Sequence, residues 1–270
     1  IGAGTVGTAL SVRLSSKGYR VIAVSSRSQT SAQNLARRVS GCLALNNNQD
    51  VADAAELIFI TTPDDAIASV ASEIQWHRGQ SVVHCSGADS TDTLEPAKKL
   101  GAQVGAFHPL QTFAGVKQAI ENIPGSTFAV EAEEPLLSTL KDMATALGGN
   151  WIELKASDKV IYHASAVIAC NYMVTLVKLA TDLWQSFAIP PHQATQALMP
   201  LLRGTLNNID KLALVFYNQI DSKLPAIDRL GGELVKIGIL NNISRLDQIR
   251  PRRQQLKRYF ECPLWLCRRG

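Results

Sequence analysis

Between Gly2 and Leu154, short apolar runs alternate with stretches in which apolar residues return every three or four positions. The runs are four to six residues long and bounded by Gly, Asn, Asp, Ser or Pro. They predict strands at Arg20–Ser25, Leu57–Thr61, Ser81–Cys85, Val104–Phe107, Thr127–Glu131 and Trp151–Leu154. The intervening periodic stretches predict helices at Val6–Lys17, Ser31–Val39, Ala66–Ile74, Leu94–Leu100 and Pro135–Leu147. Gly18, Gly41, Gly101 and Gly148 fall just past helical stretches, where a chain leaving a helix needs a left-handed residue. Alternating strand and helix is the pattern of βα units, so the expected class is α/β with a Rossmann-type, doubly wound and mainly parallel sheet.

After Leu154 the strand pattern fades and a helical pattern of about 30 residues runs from Ser157 towards Phe187, closed by Pro190-Pro191. A second stretch, Pro191–Asn208, contains Pro200, which lacks an amide donor and is expected to kink or divide it. The expected layout is a nucleotide-binding domain over 1–155, an all-α domain over 156–245 and a basic tail over 246–270. No apolar run approaches the roughly 20 residues of a membrane span, and no basic then apolar leader opens the chain. These readings exclude a membrane partner and point to the cytoplasm.

Both ends depart from the pattern. In a doubly wound sheet the glycine-rich turn follows the first strand, yet here Ile1 directly precedes the glycines, so the first strand is expected to be truncated. The tail from Arg250 to Gly270 has no sustained period and mixes basic residues with Phe260 and Trp265, as a solvated tail or a shifted reading frame would.

Composition narrows the class without changing it. Apolar residues make up 46% and charged residues 19%, the balance of a folded globular protein. Five cysteines, an odd number mostly set in apolar stretches, read as reduced thiols; Cys262 and Cys267 have no ligand cluster beside them. The net charge of +4 is concentrated over residues 245–270, where eight Arg or Lys residues face only Asp247 and Glu261. The remaining body is slightly acidic and offers no electrostatic case for nucleic acid.

Gly2-Ala3-Gly4-Thr5-Val6-Gly7 has the G-x-G-x-x-G spacing and opens a periodic helix. In this pattern Gly2 permits the tight turn, Gly4 lets the backbone approach a pyrophosphate and Gly7 lets helix and sheet pack closely. The first-turn amides of Thr5, Val6 and Gly7 then face the phosphate charge. About 20 residues on, where an acidic residue commonly takes the ribose 2′-hydroxyl, stand Ser25, Ser26 and Arg27. A guanidinium beside hydroxyls suits a 2′-phosphate, so NADP(H) is favoured over NAD(H). Thr62 and Pro63 end the third strand, at the carboxyl edge where ligands bind, and Ser86 ends the fourth.

His108, in His108-Pro109-Leu110-Gln111-Thr112-Phe113, puts an imidazole at that same edge, able to donate or accept a proton at a substrate oxygen near neutral pH. Lys159, Tyr162 and His163 open the long helix. His163, Val167 and Asn171, spaced by four, form one row on a regular helix and suggest a polar face towards a wet cleft.

These segments, with Val24-Ser25-Ser26-Arg27-Ser28, Val83-His84-Cys85-Ser86-Gly87-Ala88, Tyr162-His163-Ala164-Ser165-Ala166-Val167 and Pro200-Leu201-Leu202, resemble a known family. It is the bacterial Rossmann-like oxidoreductases with a C-terminal domain of unknown function, related to the 6-phosphogluconate dehydrogenase-like and pyrroline-5-carboxylate reductase-like enzymes. The resemblance covers about residues 1–208. It implies a nucleotide domain joined to a helical domain that commonly forms a homodimer, with the pocket at their junction. With the residues above, the expected activity is an NADP(H)-dependent oxidoreductase that passes hydride to or from a small carbonyl, imine or hydroxy compound there. His108 would act as acid, base or polarising group, Ser86 and Asn171 would orient the small-molecule substrate, and Lys159 or His163 would complete the polar face. The His-Pro segment is also similar to that of prephenate dehydrogenases. Beyond about residue 209 the sequence departs from the family, whose Thr-Gly-Pro-Ile-x-Arg-Gly-Asp segment survives only as Leu224-Pro225-Ala226-Ile227-Asp228-Arg229. That departure keeps a second expectation open, a non-catalytic NADP(H)-binding sensor or regulatory protein.

Overall fold

The computed structural model describes residues 1–211; the expectations for the basic tail, for Leu224–Arg229 and for Cys262 and Cys267 lie outside the described residues. Helices α1 (Thr5–Ser16), α2 (Gln29–Ala36), α3 (Asn48–Asp53), α4 (Asp64–Glu73), α5 (Glu95–Lys99), α6 (Val116–Asn122) and α7 (Leu136–Ala146) alternate with seven strands. The strands are β1 (Ala23–Val24), β2 (Leu43–Ala44), β3 (Leu57–Ile60), β4 (Ser81–His84), β5 (Gln103–Leu110), β6 (Thr127–Ala132) and β7 (Asn150–Glu153). β1 and β2 pair in parallel, and the others form a five-stranded sheet in the order β3-β4-β5-β6-β7. Only the β5–β6 pairing of that sheet is antiparallel. The expected α/β class with a parallel-dominated sheet is what the chain adopts.

The two sheets are linked through Ile1. Its amino group donates to the Phe59 carbonyl at 2.6 Å, its carbonyl accepts from the Thr61 amide at 2.8 Å, and the next amide, Gly2, donates to the Ser25 carbonyl at 2.8 Å. Ile1 and Gly2 therefore bond outward to both strand edges, as residues at the end of an intervening parallel strand do.

Each face of the five-stranded sheet is covered differently. A Cβ on Gly105 would meet the Leu136 and Leu140 side chains at 3.1 Å, so that face carries α7, whose Leu136, Leu140 and Met143 pack with Phe107 and Phe128. The Phe107 and Phe128 rings stack at 4.5 Å. Side chains alternate along a strand, so Ala106 and His108 point to the opposite face. Ala106 is directly opposite His84 on one side and Glu131 on the other. His84, His108 and Glu131 thus share one face, on which the functional site is built.

The strands end at Glu153, and from Ala156 the chain is helical for 32 residues to Phe187. Within this helix α8 (Lys159–Val167) and α9 (Met173–Leu183) are joined by a π-helical turn, Ile168–Tyr172. The helix corrects the expectation that no segment is long and apolar enough to span a membrane: by length and a mean hydropathy of 1.6 it passes that test. Ser, Thr, Tyr and Asn interrupt its apolar runs, which hid the length of the apolar stretch. The π turn corrects a second expectation. Each π turn takes an additional residue, so Asn171 rotates off the row that His163 and Val167 would define on a regular helix. A helix α10 over 191–211 runs through Pro200 without interruption, so Pro200 does not divide it. The chain falls into two compact units, Ile1–Leu179 and one beginning at Ala180. Everything described next belongs to the first.

Candidate active site

The glycine turn comes first. Gly2 has φ +101°, a conformation that side chains resist, and a Cβ there would lie 2.9 Å from the Thr61 carbonyl carbon. At Gly7 a Cβ would collide with the Gly2 carbonyl oxygen and the Thr61 hydroxyl oxygen. Thr61 Oγ1 donates within this knot, lying 2.8 Å from the Gly2 carbonyl oxygen and 3.2 Å from that of Ile1. Gly4 differs from both: a Cβ there would meet nothing within 4 Å. It is also the N-cap of α1 and makes no side-chain cap bond. The first-turn amides of Thr5, Val6 and Gly7 therefore lack a side-chain cap at the positive end of a helix, and the space beside Gly4 is open. Such a cradle fits a dinucleotide pyrophosphate.

Around the cradle the predicted residues divide. Ser25 is buried and its hydroxyl donates to Asn48 Oδ1 at 2.7 Å, so it holds the β1 end to α3. Ser26 is half-buried and Arg27 exposed, one residue before Ser28, whose hydroxyl caps α2 by accepting from the Ser31 amide. Thr62 Oγ1 is buried with no hydrogen-bond partner, and Pro63 is the N-cap of α4. An orphaned hydroxyl at a strand end beside the cradle is the kind of group a ligand satisfies.

Neighbouring parallel strands lie about 4.8 Å apart, so the ends of β3, β4 and β5 step along one edge from Thr61 to Ser86 to His108. His84 shapes the middle step. It is fully buried, its Nδ1 accepts from the Ser86 amide at 3.1 Å, and its Nε2 lies 3.1 Å from the Ser90 carbonyl. The Ser86 hydroxyl oxygen accepts from the amides of Ala88 and Asp89, so it shapes this loop and keeps only its own proton to offer a ligand. Gly87 passes flat against His108, where a Cβ would lie 2.8 Å from the ring.

α8 closes the face. The Tyr162 hydroxyl and His108 Nδ1 share a hydrogen bond at 2.8 Å. Lys159 is 1% exposed, and its Nζ lies 3.6 Å from Glu131 Oε2, an ion pair slightly longer than a hydrogen bond. His163 Nδ1 is buried without a partner, on the next turn of the same helix. Asn171 is exposed in the π turn, away from this group. The structure thus gathers His108, Lys159 and His163 of the predicted set and adds Tyr162 and Glu131. The sequence placed Tyr162 in the right segment; Glu131 ends an ordinary strand and no motif marks it.

Burial sets the protonation states. His108 is pushed down to about 4, first by desolvation and then by the positive charge of Lys159. At neutral pH the imidazole is therefore uncharged and acts as a hydrogen-bonding group. Burial pushes the Tyr162 phenol up to about 12. Lys159 falls below its ordinary value because desolvation outweighs the pull of Glu131 and, more weakly, Asp89 and Cys85.

Residues 1–109 match the family model of the Rossmann-like domain, and residues 126–216 match that of a domain of unknown function, DUF2520. Among solved structures the chain is similar to the Bacteroides fragilis protein BF3122, named as a candidate NADP oxidoreductase, at 24% identity and a TM-score of 0.65, over 87% of this chain and 94% of that one. The Thermotoga maritima protein TM1727 is similar at 23% identity and a TM-score of 0.63, over 95% and 98%. A reductive aminase from Aspergillus terreus, in complex with NADPH and ethyl-5-oxohexanoate, is similar at 18% identity and a TM-score of 0.63, over 82% and 75%. No curated protein matches the chain.

Proposed function

We propose, for a chain that belongs to the family pairing a Rossmann-like domain with a DUF2520 domain, that it is an NADP(H)-dependent oxidoreductase acting on a small carbonyl, imine or hydroxy compound. One observation carries the reading. An uncapped helix N-terminus with open space at Gly4 lies on the same strand edge as a buried cluster of His108, Tyr162 and Lys159. The names of BF3122 and of the reductive aminase support the choice of cofactor.

In this reading the amides of Thr5, Val6 and Gly7 hold the pyrophosphate, Ser26 and Arg27 take the 2′-phosphate, and Thr62 and Pro63 line the nicotinamide end. The nicotinamide, when bound, supplies or accepts the hydride. Reduction also needs a proton at the substrate oxygen or nitrogen, and the ammonium of Lys159 is the donor. Neutral His108, fixed by Tyr162 on one side and Gly87 on the other, orients the same atom, and the unpartnered Nδ1 of His163 is a further polar group on the same helix. Cys42, Cys85 and Cys170 are free thiols, in keeping with a cytoplasmic setting.

Thermal unfolding with NADP(H) and with NAD(H) tests the cofactor. A ligand at 100 times its Kd stabilises the folded state by about 2.7 kcal/mol, so NADP(H) is expected to raise Tm clearly and NAD(H) less. Arg27→Ala is expected to narrow the difference; an equal response of the unaltered chain to both cofactors removes Arg27 from the argument. The departure of the sequence after residue 209 favours the second reading, a non-catalytic NADP(H) sensor. Hydride transfer to any member of a carbonyl and imine panel eliminates it.

A further inference from the structure

We infer that Glu131 is a positioning residue for the proposed reaction: fixed by Thr91, it keeps the sequestered side chain of Lys159 an ammonium and so keeps a proton in the site. The inference rests on Lys159 being the group that serves the substrate, but its central contact is read from geometry alone.

An ammonium that is 1% exposed has lost nearly all its water, and Lys159 Nζ has no hydrogen-bond partner to offset that loss. The acidic oxygen facing it is Glu131 Oε2, at 3.6 Å. That carboxylate is not free to choose its direction. Its other oxygen accepts from Thr91 Oγ1 at 2.9 Å and from the Thr91 amide at 3.3 Å. Thr91 directly follows Ser90, whose carbonyl lies against His84 Nε2. One chain of contacts therefore runs from the buried imidazole through the loop to the carboxylate and ends at the lysine.

The other groups around Lys159 cannot replace Glu131. From the loop after β4, Asp89 favours the ammonium less strongly, and Cys85, pushed up to about 12 by burial, is a neutral thiol at ordinary pH. The histidines near it are His84 on β4, His108 on β5 and His163 on its own helix, and none carries negative charge. With Glu131 neutralised, desolvation is opposed mainly by Asp89. Glu131 also lines a hollow of about 350 Å³ with Thr91, Lys155 and Glu153.

The test is a pH titration of the full chain labelled with 13Cε-lysine, followed by NMR, with the Lys159 resonance assigned by its loss in Lys159→Met. Glu131→Gln keeps an oxygen for Thr91 and removes the charge. Its Lys159 midpoint is expected at least about one pH unit below that of the unaltered protein, a tenfold loss of proton affinity. Glu131→Asp is expected to recover part of the shift, which a merely structural role would not produce. Thr91→Val, which frees the carboxylate to turn away, is expected to move the midpoint the same way by less. Equal midpoints in the unaltered protein and Glu131→Gln overturn the inference. If Glu131→Gln does not fold, an unchanged midpoint in Thr91→Val does so instead. Full turnover by Lys159→Met would sink the catalytic reading of the lysine and leave the titration result standing, so the two failures are distinct.

Discussion

Between the backbone amide of Ser86, which can only donate, and the carbonyl of Ser90, which can only accept, the His84 imidazole has one arrangement of its proton. Nδ1 must be bare and Nε2 must carry the hydrogen. Long-range 1H–15N spectra are expected to show the Nε2–H tautomer at neutral pH, and an Nδ1–H form would contradict the loop geometry. Burial, with Lys159 adding to it, lowers the His84 pKa to about 4 against an ordinary 6.5. A depressed pKa means that the unfolded chain binds the proton first. The stabilisation is whole above pH 6.5 and is lost as pH falls towards 4. For a fully buried ring the loss is about 3 kcal/mol. Denaturant unfolding at pH 7 and pH 4.5 should differ by a large part of that amount, and His84→Gln should flatten the dependence.

Glycines at the ends of α1 and β4 carry the next level of organisation. Gly7→Ala places a methyl against a backbone carbonyl that cannot rotate away, so α1 must retreat from the turn and the cradle of amides opens. The expected result is a folded chain, less stable by about 1–3 kcal/mol, whose Tm no longer responds to NADP(H). A full response would mean that the glycine turn is not where the cofactor binds. Gly87→Ala is expected to spare cofactor binding and to displace the His108 ring, seen as altered His108 imidazole resonances.

These elements are legible in the sequence because their patterns are local: the G-x-G-x-x-G spacing and the apolar runs ending at Thr61, Cys85 and Phe107 need no partner to be recognised. β2, with two residues, and α3 and α6, with six and seven, are too short to show a period, and they were missed. The pairing of Glu131 with Lys159 joins positions far apart in sequence across strand and helix, and neither residue sits in a motif that names the other. Asn171 misled because the row of four assumes a regular helix, which the π turn at Ile168–Tyr172 breaks.

At the scale of the whole molecule, the long helix leaves a large apolar surface uncovered. Ile161 is 76% exposed, Val160 73%, Leu176 66% and Val174 63%, and the most apolar window of the helix has none of its residues buried. Apolar surface on this scale costs about 25 cal/mol per Å² left in water, and on a folded chain it marks a site of association. We propose that the associating partner is a second copy, giving a homodimer through α8 and α9. The far end of α8 argues against a bilayer: Lys159 and Tyr162 face the sheet and are engaged with Glu131 and His108, so this part of the helix is committed to its own domain. A stable interface of standard size buries about 1,600 Å² in total, and charges at its centre are strongly unfavourable. Light scattering after gel filtration at tens of micromolar is therefore expected to give twice the chain mass without detergent. Ile161→Glu combined with Leu176→Glu is expected to give the chain mass, with the cofactor-induced rise in Tm retained because neither residue touches the glycine turn. A monomer before substitution sinks the dimer, and a chain that stays in solution only with detergent or vesicles assigns the same surface to a membrane.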